Sequence, residues 1–214
     1  VPPYTKEVLS SIDYMIDPAT ESSKLCASKK TEEAANNEFL TRSSFIGIFN
    51  KWNNQTVVQC MCTHFHHRCI SASIIISSAI RSIMLGRDTK LNEIIPDTVH
   101  MILTLNKMEN KDDIQEFLKY TSENYCTDIK KIELSNNKNY VYKNMSVALW
   151  ALGKISSSST NEKIELAPSE HFKTIINTIK DEEGDIINNC SLAGALMGCE
   201  IGYSNLPTEW ISKI

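Results

Sequence analysis

Apolar residues recur at intervals of three and four positions along most of this chain, which is the spacing of amphipathic helices. A clear example is the stripe of Ile114, Phe117, Leu118 and Tyr120. The pattern predicts helices over residues 5–15, 37–49, 56–85, 91–108, 111–125, 141–155, 170–179 and 185–199, and a final helical turn over 206–211. The predicted fold is therefore all-α, with about seven to nine helices of ordinary length.

The segment 56–85 is the longest of these, and it alternates isoleucines with serines and alanines. β-branched residues would also suit a strand, but the length and the small side chains favour a buried helix. Pro96 is expected near the start of its helix. Polar and turn-forming residues predict a mobile connection over 17–36, a break at Asn53-Asn54, a stop at Gly86-Arg87-Asp88, a loop over 136–139 and a linker over 156–161.

The composition fits a single domain that spans residues 1–214. The chain is 42% hydrophobic and 22% charged, as soluble globular proteins are. Only 7 glycines and 6 prolines are present, which argues against a sandwich or a barrel. The formal net charge of -4 argues against nucleic acid as the main partner. No apolar run is long enough to suggest a membrane span.

Cysteine usage bears on the compartment. The chain has 7 cysteines, and their odd number and spacing are not those of a small disulfide scaffold. Reduced thiols predict an intracellular protein, cytoplasmic or nuclear, that is not secreted. No targeting segment is visible. The chain begins with Val1 rather than methionine, which is expected of a processed product or of a part of a longer protein.

Two segments could carry chemistry. In Gly184–Cys199 an acidic turn leads into a helix of small residues, where Asp185 is either an ordinary helix cap or part of a metal or anion site. Gly194, Gly198 and Gly202 share one helical face, which predicts close approach of another backbone.

The second segment, Cys60–Cys69, combines three cysteines with three histidines. A structural zinc site, a Cys–His nucleophile, and a helix start whose polar residues serve in capping and packing are the alternatives. Paired acidic residues such as Glu182-Glu183 are expected on the solvated surface. No glycine-rich phosphate loop of a known nucleotide-binding type is present.

Five segments, taken in chain order, resemble one known family. They are Asn37-Glu38-Phe39-Leu40-Thr41-Arg42, Cys62-Thr63-His64-Phe65-His66, Val147-Ala148-Leu149-Trp150-Ala151-Leu152, Gly184-Asp185 through Gly198, and Leu206-Pro207-Thr208-Glu209-Trp210-Ile211.

The family is the ADP-ribosylglycohydrolases, and the resemblance covers nearly the whole chain. It implies an all-α, multi-helix orthogonal bundle. Members hydrolyse the glycosidic bond between ADP-ribose and a protein or nucleic-acid acceptor. Two Mg²⁺ ions bind between an N-terminal Thr-Asp-Asp motif and a C-terminal Gly-Asp-x-Asp-[Thr/Ser] motif. The resemblance implies ligand-binding roles for Asn37, Arg42, His64 and His66.

This chain departs from the family's metal motifs. Asp185 matches the first aspartate of the C-terminal motif, but Ile187 stands at the second and Asn188 at the hydroxyl position. Isoleucine cannot ligate a hard cation, so Asp185 is expected to be a remnant metal ligand and Asn188 a weak one. Glu38 replaces a loop glycine and would repel a diphosphate. The Thr-Asp-Asp motif is not in this sequence, so the N-terminal helices are expected to be missing.

These departures predict a degenerate, catalytically impaired relative without catalytic residues, which acts as a binding or assembly factor. If the N-terminal helices are missing, apolar surface is exposed. We expect another macromolecule or a second copy of this chain to cover that surface. An ADP-ribose-type ligand is compatible with this hypothesis, and no cofactor is expected. The alternative is a Mg²⁺-dependent hydrolase that removes ADP-ribose from a modified macromolecule. An N-terminal segment outside this sequence would then supply the missing metal ligands.

Overall fold

The computed structural model describes residues 1–49, 51–87, 91–105, 110–160 and 166–213. Regular structure in these ranges is helical, which confirms the all-α prediction, but thirteen α-helices are present rather than seven to nine. They are α1 (Pro3–Leu9), α2 (Pro18–Ser28), α3 (Thr31–Ala34), α4 (Leu40–Ile46), α5 (Trp52–Met61), α6 (His67–Met84), α7 (Leu91–Leu105), α8 (Lys111–Thr121), α9 (Glu123–Cys126), α10 (Val141–Thr160), α11 (Pro168–Asp181), α12 (Ile186–Ile201) and α13 (Thr208–Ile211).

The core is centred on α10, which packs most extensively against α12 and also contacts α6, α8 and α11. Each fully buried aliphatic side chain stabilises the fold by about 1.5–3 kcal/mol. The fully buried aliphatic side chains of α6, α10 and α12 include Ile74, Ile75, Ile76, Met145, Leu149, Leu152, Leu192, Leu196 and Met197.

The predicted mobile connection over 17–36 is wrong, because α2 and α3 occupy most of it. Asp17 caps α2, since its carboxylate accepts from Thr20 N at 3.1 Å and from Thr20 Oγ1 at 2.7 Å. Pro18 occupies the first helical position, where its fixed φ suits a helix and its missing N–H costs nothing. The capping residue Asp17 and the following Pro18 are visible in the sequence. The segment lacks a clear apolar stripe, so its periodicity alone did not predict a helix.

The predicted single helix over 56–85 is also wrong. Two helices, α5 and α6, cover it and are separated at residues 62–66, while Asn53 and Asn54 lie inside α5 instead of breaking it. The division follows from local hydrogen bonds. His66 caps α6, since its Nδ1 accepts from Arg68 N at 3.2 Å.

Several helix boundaries differ from the predicted ones. The first helix ends at Leu9 rather than at 15, and Pro96 lies inside α7 rather than near its start. The predicted helix over 111–125 is divided into α8 and α9. Serines of the predicted linker over 156–161 belong to α10, where Ser157 Oγ donates to Gly153 O at 2.6 Å. The predicted ends at Asp88, Met108 and Asn161 lie outside the described residues.

The predicted close approach at the glycine stripe is wrong as well. The nearest neighbours of Gly194 and Gly198 are side-chain atoms at ordinary contact distance, and Gly202 ends α12 with a φ of 78°. A close approach exists instead at Gly47, where a Cβ would overlap Ser77 O and lie 2.9 Å from Ile80 Cβ. This glycine allows α4 to meet α6.

The C-terminal turn of helix, α13, closes the described chain as predicted. Its Trp210 ring meets Phe172 of α11 edge-on, with centroids 6.1 Å apart. Among the helices that the structure describes, none combines the length and the apolar character needed to cross a bilayer.

Candidate functional site

The start of α12 is set by a tight turn at residues 183–184. Glu183 and Gly184 both have left-handed backbones, with φ of 62° and 79°. A Cβ at Gly184 would lie 2.7 Å from Leu134 O, so only glycine fits. The turn leaves Asp185 at the N-cap of α12.

Asp185 brings two other predicted site residues together. Its Oδ1 accepts from Asn188 N at 3.2 Å, and its Oδ2 accepts from Asn188 Nδ2 at 2.7 Å and from Asn37 Nδ2 at 3.0 Å. Three N–H donors and the positive end of the helix dipole therefore compensate the negative charge of the Asp185 carboxylate. Asn37 is fully buried, and its Oδ1 has no hydrogen-bond partner among the described residues.

Asn37 is held in place by a short antiparallel pairing with residues 139–141. Asn37 N donates to Asn139 O at 2.9 Å, and Val141 N donates to Ala35 O at 3.0 Å. The loop over 136–139, which the sequence predicted, thus positions Asn37 opposite the start of α12. The helical periodicity of the sequence gave no signal for this pairing.

His64 is fully buried between two aromatic rings. The ring centroids of Tyr4 and Phe39 lie 4.8 Å and 4.5 Å from the imidazole centroid. Burial, assisted by the nearby positive charge of Arg42, lowers the pKa of His64 to about 3. The imidazole is therefore neutral at physiological pH.

The hydrogen bonds of His64 define its tautomer. Its Nε2 lies 2.9 Å from Asn36 Oδ1, and Asn36 Nδ2 donates elsewhere, to Glu33 O at 2.8 Å. Nε2 must therefore carry the proton, and Nδ1 accepts from Thr63 Oγ1 at 2.8 Å. Thr63 Oγ1 in turn accepts from Arg42. Arg42, Thr63, His64 and Asn36 form one polar chain next to Asn37.

Arg42 is the predicted ligand-binding cation on this chain of hydrogen bonds. Its guanidinium lies 5.9 Å from the ring centroid of Phe39, and burial lowers its pKa. The ion pairs of the described residues include none to Arg42. Arg42 thus keeps a positive charge near Asn36 and Asn37. No carboxylate among the described residues forms an ion pair with it.

Glu38, expected from the sequence to repel a diphosphate, is directed at the start of α1. Its carboxylate accepts from Tyr4 N at 3.2 Å, Thr5 N at 2.9 Å and Thr5 Oγ1 at 3.1 Å. The residue that replaces a loop glycine therefore ties the first helix to this loop.

His66, the fourth predicted ligand-binding residue, belongs to a different environment. It caps α6, and its ring centroid lies 4.3 Å from that of His67. Burial is the main reason that its pKa falls to about 4, and the neighbouring His67 and Arg68 lower it further. None of the contacts that the structure gives for His66 joins it to Asn37, Asp185 or His64.

The zinc and nucleophile alternatives fit this geometry poorly. Both ring nitrogens of His64 are already engaged, and Cys60 Sγ donates to His64 O at 3.2 Å. Burial raises the pKa of Cys60 to about 12 and that of Cys69 well above its usual range, so both thiols are protonated. Nucleophilic attack requires the thiolate, so neither of these two thiols is an activated nucleophile.

The side chains at the start of α12 do not fit Mg²⁺ well either. Mg²⁺ requires oxygen ligands in near-octahedral geometry. Asp185 offers one carboxylate that already accepts three hydrogen bonds, and Ile187, which is 79% exposed, offers no oxygen. In the part of the chain that is described, no three His, Cys, Asp or Glu side chains are grouped as a metal site.

Two further asparagines, which the sequence reasoning missed, join the central helices beside this site. Asn144 Nδ2 of α10 donates to Asn189 Oδ1 of α12 at 2.8 Å, and both residues are buried. Asn144 Oδ1 and Asn189 Nδ2 have no other partner among the described residues. Buried asparagines look like ordinary surface residues in a sequence, because only the packing of two distant helices buries them.

The all-helical fold, with an aspartate at a glycine-led helix start, agrees with the class of protein that the sequence resembles. A family model described as ADP-ribosylglycohydrolase matches residues 3–214. The chain therefore belongs to the ADP-ribosylglycohydrolase family. No curated protein and no solved structure gave a significant match to it.

Proposed function

We propose that this chain is a non-catalytic member of its family that works as a binding or assembly factor. The observation that supports the proposal best is the state of Asp185, whose carboxylate accepts from Asn37 and twice from Asn188. Hydrolysis by two metal ions needs carboxylate oxygens that are free to ligate cations. Here the corresponding carboxylate joins the loop at Asn37 to α12.

A cation at this place would compete directly with those hydrogen bonds. Amide nitrogen donates and does not ligate, so Asn37 and Asn188 would both have to turn their oxygens toward the metal. The two side-chain hydrogen bonds to the Asp185 carboxylate would be lost, while the bond from the backbone N–H of Asn188 does not depend on the amide orientation. Charge-assisted bonds of this kind contribute about 1.5–3 kcal/mol each. We therefore expect no Mg²⁺ cofactor.

The surface next to Asp185 suits contact with another macromolecule. Ile186 and Ile187 open α12 with exposures of 40% and 79%. A side chain that would ligate metal in the family is here an exposed apolar one. Exposed apolar groups beside a former site favour a protein contact, either with a partner or with a second copy of this chain. An ADP-ribose-type ligand remains compatible with the same surface.

Three measurements on this chain, and on any longer form of the natural protein, test the proposal. Thermal-shift titrations with Mg²⁺ and with ADP-ribose should show no Mg²⁺-dependent stabilisation, and a radiolabelled ADP-ribosylated substrate should release no ADP-ribose. Light scattering across a concentration series, in wild type and in Ile187→Ser, addresses self-association.

The alternative hydrolase makes the opposite prediction. The natural protein would then release ADP-ribose, and Asp185→Ala would abolish that release. This result would overturn the non-catalytic proposal. Asp181→Ala, which removes an exposed carboxylate from the end of α11, is the matched control. Activity lost in both variants would point to a general charge effect instead of a ligand role for Asp185, and circular dichroism shows whether Asp185→Ala is folded in the assay.

A further inference from the structure

A cavity of about 390 Å³ lies between the N-terminal ends of α6 and α10, the helices α8 and α9, and the loop over 133–140. Neither Asp185 nor any other residue of α12 lines it. Its size is within the range of small-molecule sites. Lining residues that matter for its chemistry are Arg68, Lys119, Tyr125, Tyr140 and Lys143.

Lys143 brings a buried positive charge to this cavity. The residue is 6% exposed, and its ammonium donates to Glu133 O at 2.6 Å and to Asn136 O at 2.5 Å. An ammonium has three N–H bonds, so these two carbonyls leave one unused. No ion pair to Lys143 exists among the described residues. Buried charges in proteins are normally paired, so this one lacks its usual counter-ion.

Two more cations face the same cavity. The ammonium of Lys119 lies 5.4 Å and 5.3 Å from the ring centroids of Tyr120 and Tyr125, and the described ion pairs include none to it. Arg68 is paired with Asp113 at 3.0 Å and Glu116 at 2.8 Å. Its buried Nε nevertheless has no acceptor in the described part of the chain.

Three carboxylates also line the cavity, and none of them forms an ion pair with a lysine of the cavity among the described residues, although the charge of Glu133 favours the charged form of Lys143. Glu116 is engaged by Arg68 and by Tyr140, whose hydroxyl donates to it at 2.7 Å. Glu32 and Glu133 are exposed, and neither carboxylate is within 4.0 Å of a cavity ammonium. Water screens the exposed carboxylates, while the buried charge of Lys143 is screened much less.

Lys143 also lies at the end of a helix where a positive charge is unfavourable. Lys143 is the third residue of α10, which starts at Val141. The helix dipole places positive potential at this end, so a lysine here is unfavourable by itself and an anion is favourable. The lysine and the helix start therefore attract the same kind of ligand.

We propose that this cavity binds the phosphate group of a small molecule, held by Lys143 and Lys119 with the edge of Arg68. A tetrahedral oxyanion can accept from donors on several sides, and lysine commonly binds phosphate as a point charge. The proposal is independent of catalysis and of the state of Asp185.

Isothermal titration of this chain with inorganic phosphate at constant ionic strength tests the site. Lys143→Met and Lys119→Met should each weaken binding about tenfold, because each removes a charged donor. Lys130→Met removes an exposed lysine that does not line the cavity, and it should leave the affinity unchanged. Lys119 is also exposed, so its variant remains informative if Lys143→Met fails to fold.

Three results would overturn the proposal. One is absence of heat and of thermal stabilisation by phosphate in wild type. Another is an equal loss of affinity in Lys119→Met and Lys130→Met, which would mean a non-specific charge effect. The third is acetate binding as tightly as phosphate at the same ionic strength, which would assign the cavity to carboxylates.

Discussion

The helices α10 and α12 each begin beside the loop over 133–140 with a charged side chain, and the two charges have opposite signs. At α12 the anion of Asp185 meets the favourable end of the helix dipole and accepts three N–H bonds. At α10 the cation of Lys143 meets the unfavourable end and donates to two carbonyl oxygens.

The charge of Asp185 therefore stabilises the fold, whereas the charge of Lys143 is available to bind a ligand. The Asp185 carboxylate is satisfied within the protein, so removing it should affect stability first. The Lys143 charge has no counter-ion among the described residues, so removing it should affect binding first. The starts of α12 and α10 thus differ in the role that we expect of their charged side chains.

The largest effect is expected at Asp185. Asp185→Ala removes the cap of α12 and leaves the buried Asn37 amide without its acceptor, which should lower the free energy of unfolding by about 2–3 kcal/mol. Urea denaturation followed by circular dichroism measures it, with Asp181→Ala as the control that should change little. A loss below about 0.5 kcal/mol would contradict the structural role assigned to this carboxylate.

A pH effect of nearly the same size is expected from the buried polar chain beside Asn37. His64 has a pKa of about 3 in the folded protein against an ordinary value of 6.5. The unfolded chain therefore binds a proton first, and stability present above about pH 6.5 is lost as the pH falls toward 3. At pH 5 the loss from His64 should be about 2 kcal/mol, and His66 adds to it in the same direction.

Urea denaturation at pH 7.5 and pH 5 checks this prediction in wild type and in His64→Gln. Glutamine retains one donor and one acceptor but does not titrate, so the variant should show a smaller pH dependence even where its stability is lower throughout. An unchanged pH dependence would mean that His64 is accessible to protons in the folded protein.

The smallest effect is expected at Ile187. Ile187 is 79% exposed, so Ile187→Asp should change stability by less than about 0.5 kcal/mol without metal. With two carboxylates in place, Mg²⁺ should stabilise the variant by about 1 kcal/mol or less, because a Mg²⁺ held without substrate phosphates keeps most of its waters and binds weakly. Differential scanning calorimetry with Mg²⁺ or EDTA measures it. Equal Mg²⁺ stabilisation of wild type would mean that Asp185 still ligates a cation.

Part of this picture followed from the sequence. The all-α class, the helix after Asp185, the loop over 136–139 and the docked Trp210 depend on short-range patterns, and the structure confirms them. The predicted helix positions were wrong where a capping residue, rather than apolar periodicity, determined where a helix begins. Asp17 starts a helix in a stretch expected to be mobile, and His66 starts a new helix in a segment expected to be continuous.

The candidate site was accessible from the sequence only through the order of the family's motifs. Asn37 and Asp185 are 148 positions apart, and no local pattern relates them. The resemblance to the family implies ligand-binding roles for both His64 and His66, yet in the structure His66 caps α6. Lys143 resembles any surface lysine until the loop over 133–137 folds over it.

The sequence by itself determined where most helices form and that an aspartate opens α12, because helix periodicity and capping act over a few residues. The tertiary structure alone decided which polar groups are buried together and which charges are compensated. Hydrogen bonding and desolvation depend on atoms that come from distant parts of the chain. For that reason the same chain satisfies Asp185 with the amides of two asparagines and leaves Lys143 without a counter-ion among the described residues.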